Sequence, residues 1–318
     1  MTARKAKAQT NPSTLENASS VPAWPSYQGT SKLVGTSPSG RVTVYVDPSL
    51  GKQARQNAQD LLNDADRIVT ANDNIFGTTG GPVSVIVFAL GGATDGTGGA
   101  DHMGCDYTNG NAIEVDASYG NSSRVSALFE AELSECSMNG NLCGESTGEA
   151  LSRWCAAVVS NKALSDFATA PQWARDGMPD YVNKTDNTDQ GADSTGCDMA
   201  FLSWLISTGS TLNQIASEMV ALGDSGTLAQ LYAKLTSDSA SNAWPKFQAA
   251  IQSLPNGITS DDPFGAFTAA ASPAAIPSQL TPSTTETQTK AAGLRLVPPA
   301  TTCPPKSKRL LPPKKKVH

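Results

Sequence analysis

Every segment of this chain with strand periodicity lies before residue 121, and everything after it repeats at helical spacing. Arg41 to Asp47 alternates apolar and polar residues and stops at Pro48. Pro82 to Leu90 is a continuous β-branched run, and Ala112 to Asp116 is a third short strand. Between the first two, Ala54, Ala58, Leu61, Leu62, Ala65 and Ile68 predict an amphipathic helix over 53–69. Further helices are predicted at 123–138, 147–160, 171–183, 196–208, 211–222, 226–236 and 241–252, with Cys197 to Ile206 apolar nearly all round and central. Strands followed by helices argue an α+β fold, a small mixed sheet followed by a helical cluster.

The charge distribution sets the domain limits. Residues 1–40 carry four Lys/Arg and one Asp/Glu, and 258–318 carry eight and three. The stretch 41–257 holds 11 against 25, a net of −14 within a total of −6. The expected organisation is a disordered basic segment over 1–40, one acidic domain over 41–257, and a disordered Pro/Thr/Lys-rich tail over 258–318. An acidic body repels phosphate backbones, so nucleic-acid binding is expected only through the basic tails. The cluster Lys306 to Lys316 resembles a nuclear-import signal but reads first as a solvated charge run. No apolar run reaches the roughly 18 residues of a membrane span, and Met1 to Ser20 has no hydrophobic signal core. A cytoplasmic protein is the default expectation, a secreted one the alternative. Oligomeric state is open.

Cysteines stand at 105, 136, 143, 155, 197 and 303 without C-x-x-C spacing, which argues against a structural zinc site. Reduced thiols are the default. An even count permits disulfides, but six cysteines allow 15 pairings, so no connectivity follows. The glycine-rich stretch 91–104 lacks the G-K-[ST] ending of a phosphate loop and is expected to be a flexible loop.

The chemistry centres on the helix 124–138. At ~100° per residue, Val125, Leu128, Phe129, Leu133 and Cys136 share one arc, with Glu132 and Glu135 projecting from the same side, while Glu130 faces water. Two carboxylates against an apolar face need protonation, hydrogen-bond donors, a basic partner or a metal cation. Arg124, Arg153 and Arg175 are the competing basic partners. On the next helix, Ser146 and Glu149 fit an S-x-x-E capping box, Arg153 stands at i+4 from Glu149 for an ion pair, and metal binding is the alternative duty for Glu149. His102 and His318 are the two histidines. His102 is either a surface loop residue or a ligand or acid/base group. The absence of G-x-S-x-G disfavours a serine hydrolase. A Cys-His pair has nothing to fix its geometry, and few aromatics disfavour a glycosidase.

These strings carry a resemblance. A sheet, then an acidic E-x-x-E helix, then a helix opening Gly-Glu-Ala-Leu-Ser-Arg resembles the gluzincin class of zinc metallopeptidases, with their zincin fold. Pro171 to Val182 is similar to the Trp…Glu-Gly-x-x-Asp-Tyr-Val stretch of plant basic secretory proteins. The strings A-E-L-S-E, G-E-A-L-S-R and Ser194 to Cys197 resemble a group of uncharacterised bacterial proteins over about 41–257. The gluzincin resemblance implies Glu132 as general base and Glu149 as third ligand. The two motif histidines are replaced by Ala131 and Glu135. It thereby implies either no cofactor or one divalent metal ion on Glu135, Glu149 and His102, an oxygen-rich set favouring harder ions than zinc. Two functions follow from it as expectations. The first is a degenerate, non-hydrolytic module binding a peptide or protein ligand. The second is an active metal-dependent peptidase with an atypical carboxylate-rich site.

Overall fold

The structure is a computed structural model that describes residues 22–90, 99–107, 112–118 and 121–267. Strands β1 (Lys32–Thr36) and β2 (Val42–Val46) form an antiparallel hairpin. Helix α1 (Gly51–Phe76) then crosses to β3 (Val83–Phe88), and β4 (Ala100–His102) and β5 (Ala112–Asp116) complete the sheet. The strand order is β1-β2-β3-β5-β4. β2, β3 and β5 run parallel, and both edge strands are antiparallel to their neighbours. The fold is therefore α+β with a mixed sheet, as the order of periodicities requires. β1 and β4 went unread because Lys32–Thr36 has little apolar alternation and Ala100–His102 hides inside a glycine-rich run. The loop expected over 91–104 thus contains a strand at its end, while 91–98 lie outside the described residues.

Helix α1 outruns its predicted end at Val69 because Ala71 and Ile75 continue the buried stripe, and it stops at Gly77 in a left-handed conformation (φ 66). It covers one face of the sheet. The other face is covered by the chain before β1, where Trp24 and Tyr27 pack among Tyr45, Ile86, Phe88 and Leu90. That segment is pinned by a buried carboxylate: Glu114 on β5 accepts hydrogen bonds from Ser26 N (2.9 Å), Ser26 Oγ (2.7 Å) and Tyr27 N (2.6 Å).

The helical half comprises α2 (Ser122–Ser137), α3 (Ser146–Val159), α4 (Ala163–Asp166), α5 (Ala170–Arg175), α6 (Ala192–Ser207), α7 (Leu212–Leu222), α8 (Leu228–Thr236) and α9 (Ala243–Gln252). α6 is the central helix, buried without interruption from Ser194 to Ile206. α5 is much shorter than the span read over 171–183, because Gly177 (φ 91) and Met178 (φ 56) turn left-handed and Pro179 cannot donate to a helical ladder. Beyond α9, Asp261 is buried and accepts from Thr169 N (2.7 Å) and Ala170 N (2.6 Å), tying residues past 257 to the start of α5. Residues 1–21 and 268–318 lie outside the described residues. Within the described residues no helix is long and apolar enough to cross a membrane.

Candidate metal centre

β4 and α2 meet beneath the sheet edge, and this junction builds the site. Among the described residues β4 pairs only with β5, His102 standing opposite Ile113, and Met103 N extends the ladder by donating to Ala112 O (2.8 Å). His102 closes β4 and turns its ring into the interior, where the side chain keeps 1% of its exposure. α2 lies between the sheet and the other helices and is buried all round from Val125 to Ser137. Its carboxylates at positions 132 and 135, three apart and so on one face, meet that ring.

Nε2 of His102 lies 3.1 Å from Oε2 of Glu135 and 4.0 Å from Oε2 of Glu132. One ligand atom from each of the three residues falls within 4.8 Å of the other two. The expectation that Glu132 and Glu135 sit among apolar neighbours and require a positive companion is met, and the companion with the short contact is His102 rather than an arginine. Burial drives the Glu132 carboxyl well above the usual range, the Glu135 carboxylate adds to the rise, and His102 opposes it. Burial works to lower the imidazole's pKa, but hydrogen bonding to Cys136 and Glu135 and the adjacent carboxylates outweigh it, so the ring holds its proton more tightly than free histidine. Oε2 of Glu132 is buried with no hydrogen-bond partner among the described residues.

Glu149 stands apart from this trio. Its Oε1 is held by Arg153 at 2.7 Å, the i+4 ion pair the spacing predicts, while Arg153 also donates to Phe167 O (2.6 Å). Burial raises the Glu149 pKa against the opposing pull of Arg153, and the nearby Glu135 adds to the rise. The capping box does not form. Ser146 donates instead to Asp198 Oδ2 (2.7 Å), and α3 begins after Glu145 with Ser146 already inside the helix.

Glu130, which the helical wheel predicts to face water, is instead fully buried, and neither carboxylate oxygen has a hydrogen-bond partner among the described residues. A helical wheel assumes one solvent face, and α2 has none because α1, α3 and the sheet all pack on it. Burial raises the Glu130 carboxyl well above the usual range, Arg67 opposing and Asp73 assisting. Cys136 was read only as core, although its thiol also bears on the His102 ring. Its signal was available: it follows Glu132 by four residues on the same face.

Two cysteines depart from the reduced default. Cys105 and Cys143 form a disulfide with Cα atoms 5.9 Å apart. Cys136, Cys155 and Cys197 are buried and take part in none, and Cys303 lies outside the described residues.

No family model and no curated protein sequence matches the chain. A solved structure that matches is that of an M1 zinc metallopeptidase mutant from Deinococcus radiodurans, with a TM-score of 0.39 and 9% sequence identity. The match covers 69% of this chain and 51% of that one, so the chain spans about half that protein's length. Similarity at that level transfers neither fold nor activity.

Proposed function

We propose that this chain is a metallopeptidase-like, non-hydrolytic binding domain that takes one divalent cation between His102, Glu132 and Glu135. The observation that carries the reading is the convergence of one imidazole nitrogen and two carboxylate oxygens within 4.8 Å. Metal–ligand bonds of about 2.0–2.2 Å place paired donor atoms roughly 3–4 Å apart, and the Nε2 distances of 3.1 Å and 4.0 Å suit that spacing. The orphaned Oε2 of Glu132 would gain the partner it lacks. A cation also removes the cost of keeping two acidic groups together away from water.

The non-hydrolytic half rests on the fate of the two other duties the gluzincin resemblance assigns. Glu132, its general base, stands within ligand reach itself, and Glu149, its third ligand, is engaged by Arg153. With Glu132 on the ion, none of these carboxylates remains to take a proton from an attacking water. A peptide or protein is the ligand class this reading carries.

A second reading is favoured by the 3.1 Å contact itself: a metal-free cluster in which an imidazolium donates to Glu135 and Glu132 stays protonated. Metal analysis of purified full-length protein separates the two. Stoichiometric divalent metal, lost in Glu135→Ala, is the expected result. A metal-free protein whose Tm is unmoved by chelator and by added metal overturns the cation site. Metal-dependent peptide cleavage abolished in Glu132→Gln would replace the non-hydrolytic reading with the hydrolase.

A further inference from the structure

We propose that the Cys105–Cys143 disulfide is a redox clamp on the His102/Glu132/Glu135 cluster, holding the imidazole against the helix carboxylates when oxidised and releasing it when reduced. The cation-binding arm of this proposal rests on the reading above, whereas the clamp itself rests on where the two sulfurs sit.

Cys105 follows His102 by three residues on the chain leaving β4. Cys143 follows Glu135 by eight in the connection from α2 to α3. The bridge therefore joins the two segments that supply the cluster, 38 residues apart in sequence. β4 has weak means of its own for holding His102 in place, being three residues long and, among the described residues, at the sheet edge with β5 as its one neighbour. A backbone hydrogen bond reinforces the bridge, Gly140 N donating to Cys105 O at 2.7 Å.

The anchor on the helical side is under conformational tension. Between α2 and α3, Leu142 (φ 61) adopts the left-handed region that a bulky side chain avoids, beside Asn139 (φ 57), a residue type that tolerates it. Leu142 is held there by burial and by its N–H donating to Asp224 Oδ1 (2.7 Å). Backbone of this kind persists only while its surroundings over-determine it, and the disulfide is one of those surroundings. Both bridged cysteines are half-buried, whereas Cys136, Cys155 and Cys197 are fully buried, so an external thiol meets this pair first.

The reductant is a dithiol. Its thiolate attacks one sulfur, the S–S bond breaks, and a mixed disulfide forms. Its second thiol then displaces the protein sulfur. Cys105 and Cys143 end as two thiols carrying two protons, and the dithiol ends as its oxidised disulfide.

Full-length protein is reduced with dithiothreitol, desalted anaerobically, and compared with the oxidised form and with Cys105→Ser/Cys143→Ser by Co²⁺ titration and by amide exchange at Ala100 to Met103 without metal. The expected result is at least tenfold faster exchange and at least tenfold weaker Co²⁺ binding in the reduced protein and the double variant. Reoxidation should restore wild type but not the variant, and unchanged circular dichroism would show that the fold survives. Unchanged exchange, or measurable Co²⁺ binding of equal affinity in both redox states, overturns the clamp. Faster exchange in a protein that binds no Co²⁺ when oxidised supports the clamp and overturns the cation site.

Discussion

Nε2 of His102 and Oε2 of Glu135, 33 positions apart in sequence, lie 3.1 Å from each other with both side chains at least nine-tenths buried. Each of these groups would be costly in the interior without the other. In metal-free protein at pH 7, His102→Ala is expected to cost about 3–5 kcal/mol by urea denaturation, the penalty for stranding a buried charge. His102→Ala/Glu135→Gln should recover part of that loss. A single-variant cost below about 1 kcal/mol would place the pair among weak surface-type contacts.

Glu130 gives a sign that a surface glutamate cannot. Its folded pKa is raised above the ordinary 4.5, chiefly by burial. The native state therefore holds a proton that the unfolded chain releases, and its contribution to stability falls as pH rises from the ordinary value through the folded one. Glu130→Gln carries no such proton, so the variant should lose less stability than wild type between pH 5 and pH 9. Parallel stability curves for the two proteins would show that Glu130 is solvated.

Asp261 makes the same argument over a narrower window. Burial pushes its carboxyl up to about 6 from the ordinary 3.8, against the opposing pull of Arg153 and the amides of Ala170 and Thr169. Raised pKa means stability present below pH 4 and lost as pH climbs through 6, on the order of 3 kcal/mol. Asp261→Asn retains an acceptor for the two amides and should flatten that decline. Asp261→Ala removes the acceptor and should destabilise by about 1–3 kcal/mol below pH 4, a deficit that shrinks as the wild type loses stability through pH 6.

Gly196 tests how tightly α6 sits against α5. A Cβ there would lie 2.5 Å from Thr169 O and 2.9 Å from Trp173 Cβ, inside contact distance and against backbone. Gly196→Ala should cost about 1–3 kcal/mol in spite of alanine's better helix propensity. A stabilised variant, read as a higher Tm, would show that the two helices can separate.

Legibility in the sequence followed the range of the interaction. The order of periodicities determined the α+β class, Cys197 to Ile206 announced the central helix, and Glu149 and Arg153 announced their ion pair, since each depends on residues within a few turns of one another. Strand β4 was missed because three residues carry no period, and Glu130 was misplaced because a wheel assigns one wet side to a helix that has none. A reader of the sequence alone also had six cysteines and no means of choosing among their pairings.

The chain by itself thus determined the α+β class, the central helix and that Glu132 and Glu135 share an apolar face. Only the tertiary structure decided that His102 is their companion and that Cys105 meets Cys143. Local propensity and periodicity act over the spacing of a turn, whereas these partnerships span up to 38 residues and exist only once β4 has paired with β5 and α2 has settled beneath it.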